Sequence, residues 1–337
     1  MDHTMIDIPS SLRSRIRTPN KQTTLEVRPS YTEGTFNSLA VDCPCVFTLN
    51  GKTGMTLVGW DGIGYQGGLS WLGNDGKWSE PELILPRNPD SAHRKYNAAL
   101  TGLLRDNNLA GKGELCQVDS WYYGTYHAYP NAGYEEGSAV IGIVRSRDLR
   151  IWEEYGELLR PEDGDGWERG GLYKSWLLQG DGKYWLFYNA KNTETGSWVE
   201  QTGAAVSDDL LHWTRIPGPL LVNGPKGSFD DRFASDPCVL RIDDLWVMFY
   251  FGLCSDGHAR ELFAVSDDLV NWTKGDEVLI NIGPKDSIDS THAHKPAVIY
   301  RGGHLEHYYC AVSALPVPLQ VGNQTVTELR GIAVARS

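Results

Sequence analysis

Three copies of one phrase decide the architecture: Ser146-Arg147-Asp148-Leu149-Arg150-Ile151-Trp152, Ser207-Asp208-Asp209-Leu210-Leu211-His212-Trp213 and Ser266-Asp267-Asp268-Leu269-Val270-Asn271-Trp272. Their tryptophans stand 61 and 59 residues apart, and a looser copy runs from Ser70 to Trp78 with Asn74-Asp75-Gly76 as its turn. The stretch from Ile332 to Ser337 reads as the run-in to a fifth copy, comparable to the one from Ile141 to Ser146. Self-similarity at a fixed period marks a repeat architecture, and here it counts five units.

Each unit keeps the same internal order. A first strand is predicted at residues 43–49, 97–104, 174–179, 236–242 and 295–301. A polar turn follows, as in Asn50-Gly51-Lys52 and Asp181-Gly182-Lys183, and then an aromatic second strand such as Tyr184-Trp185-Leu186-Phe187-Tyr188. A third strand leads into the Ser-x-Asp turn, and the tryptophan opens a fourth. Four antiparallel strands in each of five units, with few helical periodicities, predict an all-β, five-bladed β-propeller. Residues 23–28 offer a spare strand before the first unit, and the fifth unit stops after its third strand. Pairing the two would close the ring and remove its open edges. Residues 1–22 are read as a tail and residues 23–337 as a single propeller domain.

Composition narrows the function. Twelve Trp and sixteen Tyr in 337 residues suit both blade packing and stacking against sugars. The net charge of −12 weighs against a nucleic-acid backbone or an anionic membrane surface as partner. No apolar run is long enough to span a bilayer, and residues 1–17 lack the apolar core of a signal peptide, which predicts a cytoplasmic protein without a membrane partner. The six cysteines form no C-x-x-C pair, and five fall in or beside predicted core strands, where a thiol behaves as a small buried hydrophobe. No cofactor motif is present, since Gly67-Gly68 and Gly170-Gly171 lack the strand-to-helix setting of a phosphate loop. No metal site is predicted: Asp163-Gly164-Asp165-Gly166 lacks the spaced Glu of a calcium loop, and His292-x-His294 and His304-x-x-His307 have no ligating partner nearby.

In a propeller the first strands of all blades converge on the axis, so their opening residues are the candidate site. They read Asp42-Cys43-Pro44, Tyr96-Asn97-Ala98, Tyr173-Lys174-Ser175, Ser235-Asp236-Pro237 and His294-Lys295-Pro296. A second set of carboxylates, Glu168, Asp230 and Asp289, falls six residues before Lys174, Asp236 and Lys295. They serve either a second axial ring or as caps of the incoming loops. Trp60, Asp61, Trp121, Tyr126, His127, Trp167 and Trp198 include the candidate sugar-stacking or sugar-binding residues, each of which could equally serve the core.

Asp42-Cys43-Pro44-Cys45-Val46, Ser235-Asp236-Pro237-Cys238-Val239 and the three Ser-x-Asp-Leu-x-x-Trp phrases together resemble the five-bladed propeller glycoside hydrolases of families 43 and 32, over about residues 25 to 337. The resemblance implies cleavage of a glycosidic bond in a carbohydrate substrate by axial carboxylates, one acting as acid and one as base or nucleophile. On it, Asp42 is the expected base or nucleophile, Asp236 the expected acid and Glu168 the reserve acid. Tyr96, Asn97, Tyr173, Lys174, Asp230, His294 and Lys295 are expected to hold substrate. Two departures, Cys43 between Asp42 and Pro44 and Lys174 where a carboxylate is usual, keep two alternatives open. One is a carbohydrate-binding propeller without catalysis. The other is a phosphorylase of the family 130 type, with Lys174, Lys295 and His294 on phosphate.

Overall fold

A computed structural model describes residues 5–194 and 196–337. It is all-β apart from the helix Ser10–Ile16 and three short 3₁₀ turns among the described residues. The strands pair into successive antiparallel groups. The first holds Ala40–Leu49, Lys52–Trp60, Tyr65–Trp71 and Glu82–Leu85. The second holds Ala99–Leu103, Trp121–Ala128, Val140–Ser146 and Glu153–Leu159. The third holds Leu172–Gly180, Lys183–Asn192, Val199–Ser207 and Thr214–Arg215. The fourth holds Phe233–Ile242, Leu245–Leu253, Ala259–Ser266 and Thr273–Lys274. The last holds His292–Arg301, His304–Val321 and Gln324–Arg336, with Asn20–Lys21 paired to the final strand. The first strand of each group packs against those of both neighbours, and the last group's against the first group's.

The recurring phrase is a local device for turning between third and fourth strands. Its leucine takes positive φ in all three copies: Leu149 at 64°, Leu210 at 63° and Leu269 at 65°. That backbone is costly for a side chain with a Cβ. It is held by the flanking polar residues: Ser146 Oγ accepts from the amide of Leu149 at 2.9 Å, and Asp148 Oδ1 accepts from the amides of Arg150 and Ile151, each at 2.9 Å. The indole of Trp152 donates to the Leu149 carbonyl at 3.1 Å, and Trp272 repeats this on Leu269. Each leucine is buried, so the strained turn doubles as a core contact.

Residues 1–22, read from sequence as a tail, instead carry a packed helix over Ser10–Ile16; residues 1–4 lie outside the described ones. Ile8, Leu12 and Ile16 bury one apolar stripe, while Arg13 and Arg17 reach Glu277 and Arg15 reaches Asp243. The spare strand starts earlier than predicted, at Asn20, whose partner is Arg336. Within residues 23–28 only Val27 bridges, to Ile332.

One insertion holds four groups at once. Between Leu103 and Trp121 the second group extends a loop whose Arg105 is 1% exposed and lies over the Trp176 ring at 4.8 Å. Its guanidinium donates to the Val46 carbonyl of the first group and, at 2.9 Å, to the Val298 carbonyl of the last. Asn107 accepts from the Trp176 indole of the third group at 3.0 Å, and its carbonyl accepts from the Arg241 amide of the fourth at 2.7 Å. A charged donor buried on two carbonyls is costly to delete, because the carbonyls lose their partner along with the charge. Arg105→Met should therefore lower stability by about 3 kcal/mol or more, read as a calorimetric melting temperature several degrees below wild type. Arg15→Met, which removes an exposed pair, should leave that temperature within about a degree.

Candidate active site

Every first strand carries a β-bulge, and four of the five bulges aim side chains into one pocket. Register shifts fall between Asp42 and Cys45, Leu100 and Gly102, Tyr173 and Ser175, Ser235 and Cys238, and His294 and Ala297. The residues set out of register are Cys43, Thr101, Lys174, Asp236 and Lys295. Cys43, Asp236 and Lys295 have φ of 47°, 58° and 65° and each precedes a proline, a conformation that costs on the order of 1–3 kcal/mol per residue. A bulge re-aims a side chain that a regular ladder would point elsewhere. Cys43, Lys174, Asp236 and Lys295 accordingly line an open pocket with about 840 Å³ of space not filled by protein atoms, part of it continuous with solvent.

This register revises the expected axial positions. Cys43, not Asp42, occupies the place of Asp236 and Lys295. In the second group the bulged residue is Thr101, four positions beyond Asn97. Asn97 is structural: its Oδ1 accepts from the Tyr65 amide at 2.8 Å, and its Nδ2 donates to the carbonyls of Tyr129 and Asn131. Asp42 sits behind the pocket wall, 1% exposed, with Lys295 Nζ at 2.8 Å and Arg330 Nη1 at 3.2 Å on the same oxygen. Burial alone would raise its pKa, but Lys295 and then Arg330 hold it well below the usual carboxylate range.

The second ring of carboxylates lies outside the pocket and forms a repeated clamp. Glu168 accepts from Tyr188 at 2.6 Å and pairs with Arg215 at 3.1 Å. Asp230 accepts from Tyr250 at 3.0 Å and pairs with Lys274. Asp289 accepts from Tyr309 at 2.9 Å and pairs with Lys21 at 2.5 Å. Glu168 also completes a capping box with Asp165, which leaves it no free oxygen for chemistry. Trp167 stacks on Tyr188 at 6.3 Å in the core, and Asp61 is tied to Arg87 and to the turn amides of Ile63 and Gly64. Tyr96 lies outside the pocket under Lys95, and Trp60 stands behind the wall, packed on Tyr65 and Tyr134. Tyr173, Lys174, His294, Lys295 and Trp198 do line the pocket.

The pocket contains two carboxylates that no motif announced. Glu200, on the third strand of the third group, accepts from Ser235 Oγ at 2.8 Å and Asn189 Nδ2 at 2.9 Å on one oxygen and from the Trp198 indole at 3.2 Å on the other. Burial, then the charges of Asp236 and Glu135, push its pKa up to about 7. Asn189 also donates to Asp236 at 3.1 Å, so Glu200 and Asp236 share one donor on one wall. Burial raises the Asp236 pKa as well, against the pull of Lys295 and Lys174. Glu135 comes from the loop between Trp121–Ala128 and Val140–Ser146 and makes no hydrogen bond to the described residues. Loss of water raises its pKa, opposed first by Lys295 and Arg330, so its charge is sensed from the wall of the last and first groups. Asp42, His294 and Cys310 bring ligand atoms within 4.8 Å of one another. The two cations already on Asp42 make a metal ion there electrostatically unfavourable.

Residues 105–285, and in an overlapping register 175–316, match the glycosyl hydrolases family 32 N-terminal domain. The chain belongs to that family. A solved glycoside hydrolase is 27% identical with a TM-score of 0.80, over 98% of this chain and 96% of that one. BT0996, solved as an RGII complex, is 28% identical with a TM-score of 0.78, over 95% and 92%. Both place the chain among propeller-type glycosidase folds. The 1,2-β-oligomannan phosphorylase of Thermoanaerobacter sp. (strain X514) is 27% identical over 128 residues, 36% of this chain; the match spans 43% of the relative's length.

Glu200 makes stability depend on pH. Folding raises this carboxyl from an ordinary 4.5 to about 7, so its contribution is complete below 4.5 and is lost as pH climbs through about 7. Glu200→Gln, neutral throughout, should lose less melting temperature than wild type between about pH 5 and about pH 8. An equal loss in both proteins would show that Glu200 does not carry the proton.

Proposed function

We propose that the protein is a glycoside hydrolase built on one five-bladed β-propeller, residues 20–337, whose last blade is completed by the segment around Lys21. The clamps support closure: Arg215 and Lys274 lie on the fourth strands of their groups, and Lys21 takes the same place against Tyr309 and Asp289. Deleting residues 1–22 should then lower the melting temperature sharply, and an unchanged value would count against closure.

Catalysis is assigned to Glu200 and Glu135, with Glu200 as acid. The observation that carries this is the Glu200 carboxyl holding its proton to about pH 7 inside a pocket that also presents a second, unbonded carboxylate. An acid protonated near neutrality can give its proton to the leaving oxygen. Glu135, with Lys295 and Arg330 favouring its charged form, attacks the anomeric carbon or activates water. Asp236 shares the Asn189 donor with Glu200 and so stands on the acid's own side of the sugar, where its charge keeps Glu200 protonated. Asp42 holds Lys295 and Arg330 in place and takes no part in the bond change.

Activity on glycosides with poor leaving groups should fall as pH rises past about 7, following the Glu200 proton. Glu200→Gln should slow these substrates by ~10²–10⁴-fold while sparing activated aryl glycosides, which need little protonation. Glu135→Gln should abolish turnover of both. Unimpaired hydrolysis of alkyl glycosides by Glu200→Gln would refute the acid assignment. A second reading, phosphorolysis, draws on the phosphorylase relative and on the pocket residue Lys174, whose buried ammonium has no hydrogen-bond partner among the described residues. Phosphate-dependent turnover with release of a sugar phosphate would favour it over hydrolysis.

A further inference from the structure

Four pocket groups are left with a polar atom unbonded to any described residue: the Tyr65 hydroxyl, His127 Nδ1, Lys174 Nζ and Asn189 Oδ1. All four residues are at least nine-tenths buried, at 4%, 4%, 1% and 3% exposure. They are held in a rigid frame: His127 lies edge-on to Tyr65 at 6.4 Å and to Tyr129 at 5.6 Å, and Tyr129 stacks on Tyr173 at 5.2 Å. Burying such groups without partners is costly, so in a working pocket they are matched by the ligand.

We propose that Tyr65, His127, Lys174 and Asn189 form the recognition wall for the hydroxyl groups of one uncharged, terminal sugar residue. This rests on the carbohydrate reading above and specifies the substrate class. The four atoms are mixed in kind: the ammonium only donates, the amide oxygen only accepts, and the phenol and imidazole can do either. A hydroxyl both donates and accepts, so a polyol edge satisfies all four, whereas a carboxylate offers nothing to Asn189 Oδ1. Charge points the same way. Lys295 and Arg330 are both engaged on Asp42, and the positive charge of Lys174 is offset by Asp236 nearby. Burial, then Lys295 and Lys174, hold His127 neutral, with its pKa down at about 3, so it adds no charge for an anion. A carboxylate substituent would instead face Asp236 and Glu135. The sugar is terminal because the Arg105 insertion binds Val46, Asn107's partner Arg241, and Val298 toward the opposite ends of the same strands, which leaves the pocket blind.

The test is direct binding of monosaccharides to the full chain by calorimetry, which needs no turnover. D-mannose, D-galactose, L-arabinose and L-rhamnose are compared with D-glucuronate, D-galacturonate and inorganic phosphate. At least one neutral sugar should bind, at least about tenfold tighter than any of the anions. Lys174→Met should weaken it about 10–100-fold and Tyr65→Phe, which deletes only a hydroxyl, up to about tenfold. Unchanged melting temperatures would show that both variants are folded. Tighter binding of a uronate or of phosphate overturns the proposal, as does binding of no neutral sugar or undiminished affinity in both variants. Neutral-sugar binding by a protein that neither hydrolyses nor phosphorolyses glycosides would uphold the wall and defeat the hydrolase reading.

Discussion

The architecture depends on a single buried guanidinium. Arg105 belongs to the second strand group by sequence, yet its hydrogen bonds go to carbonyls of the first and last, and the loop it opens reaches the third and fourth through Asn107. Neighbouring groups also meet through apolar packing, which is strong but non-directional, and through single directional contacts such as the Glu200–Phe233 and Ala259–His292 bridges. The insertion adds directionality: each bond fixes how far one first strand can slide along another. A charge this deep is tolerable because two carbonyls and the Trp176 face replace its lost water.

With one end of the strands fixed, strain can be concentrated at the other. Cys43, Asp236 and Lys295 hold positive φ ahead of prolines at the pocket end, and the distortion places charged side chains where a flat ladder could not. The charges then sort themselves by burial and pairing. Asp42 draws two cations onto one oxygen and stays ionised, while Glu200, surrounded by carboxylates and neutral donors, keeps its proton. Two kinds of carboxylate chemistry thus arise from the same residue class around one pocket.

The sequence made the local devices plain and hid the long-range ones. The Ser-x-Asp-Leu-x-x-Trp phrase is readable because Leu149, Leu210 and Leu269 need caps supplied by residues immediately beside them. The bulges were nearly legible, yet aligning on small residues set Asn97 where Thr101 belongs and treated Asp42 as the peer of Asp236, because a bulge changes register without changing composition. The spacing of Glu168, Asp230 and Asp289 was a true signal of repetition, but for a tyrosine clamp instead of a second axial ring. Glu200 and Glu135 left no mark: one sits on a third strand and the other in a hairpin loop, and only the folded chain brings them together. The helix Ser10–Ile16 escaped notice because seven residues rich in Ser and Arg carry too short an apolar stripe to register as periodic.

The pairing of Asn20 with Arg336 has a consequence for biogenesis. A ribosome makes the segment around Lys21 early and its partner strand hundreds of residues later. Until that strand emerges the edge of the segment has no strand to rest on, and until residue 289 emerges Lys21 has no Asp289 to neutralise. The earlier strand groups can pair in order as they emerge, but this contact must wait for the strand that ends at Arg336, so it forms last among the strand pairings however fast the others are. The interval is when an unpaired edge is open to association with another nascent chain, and the basic, charged surface of residues 13–21 is suited to discouraging it.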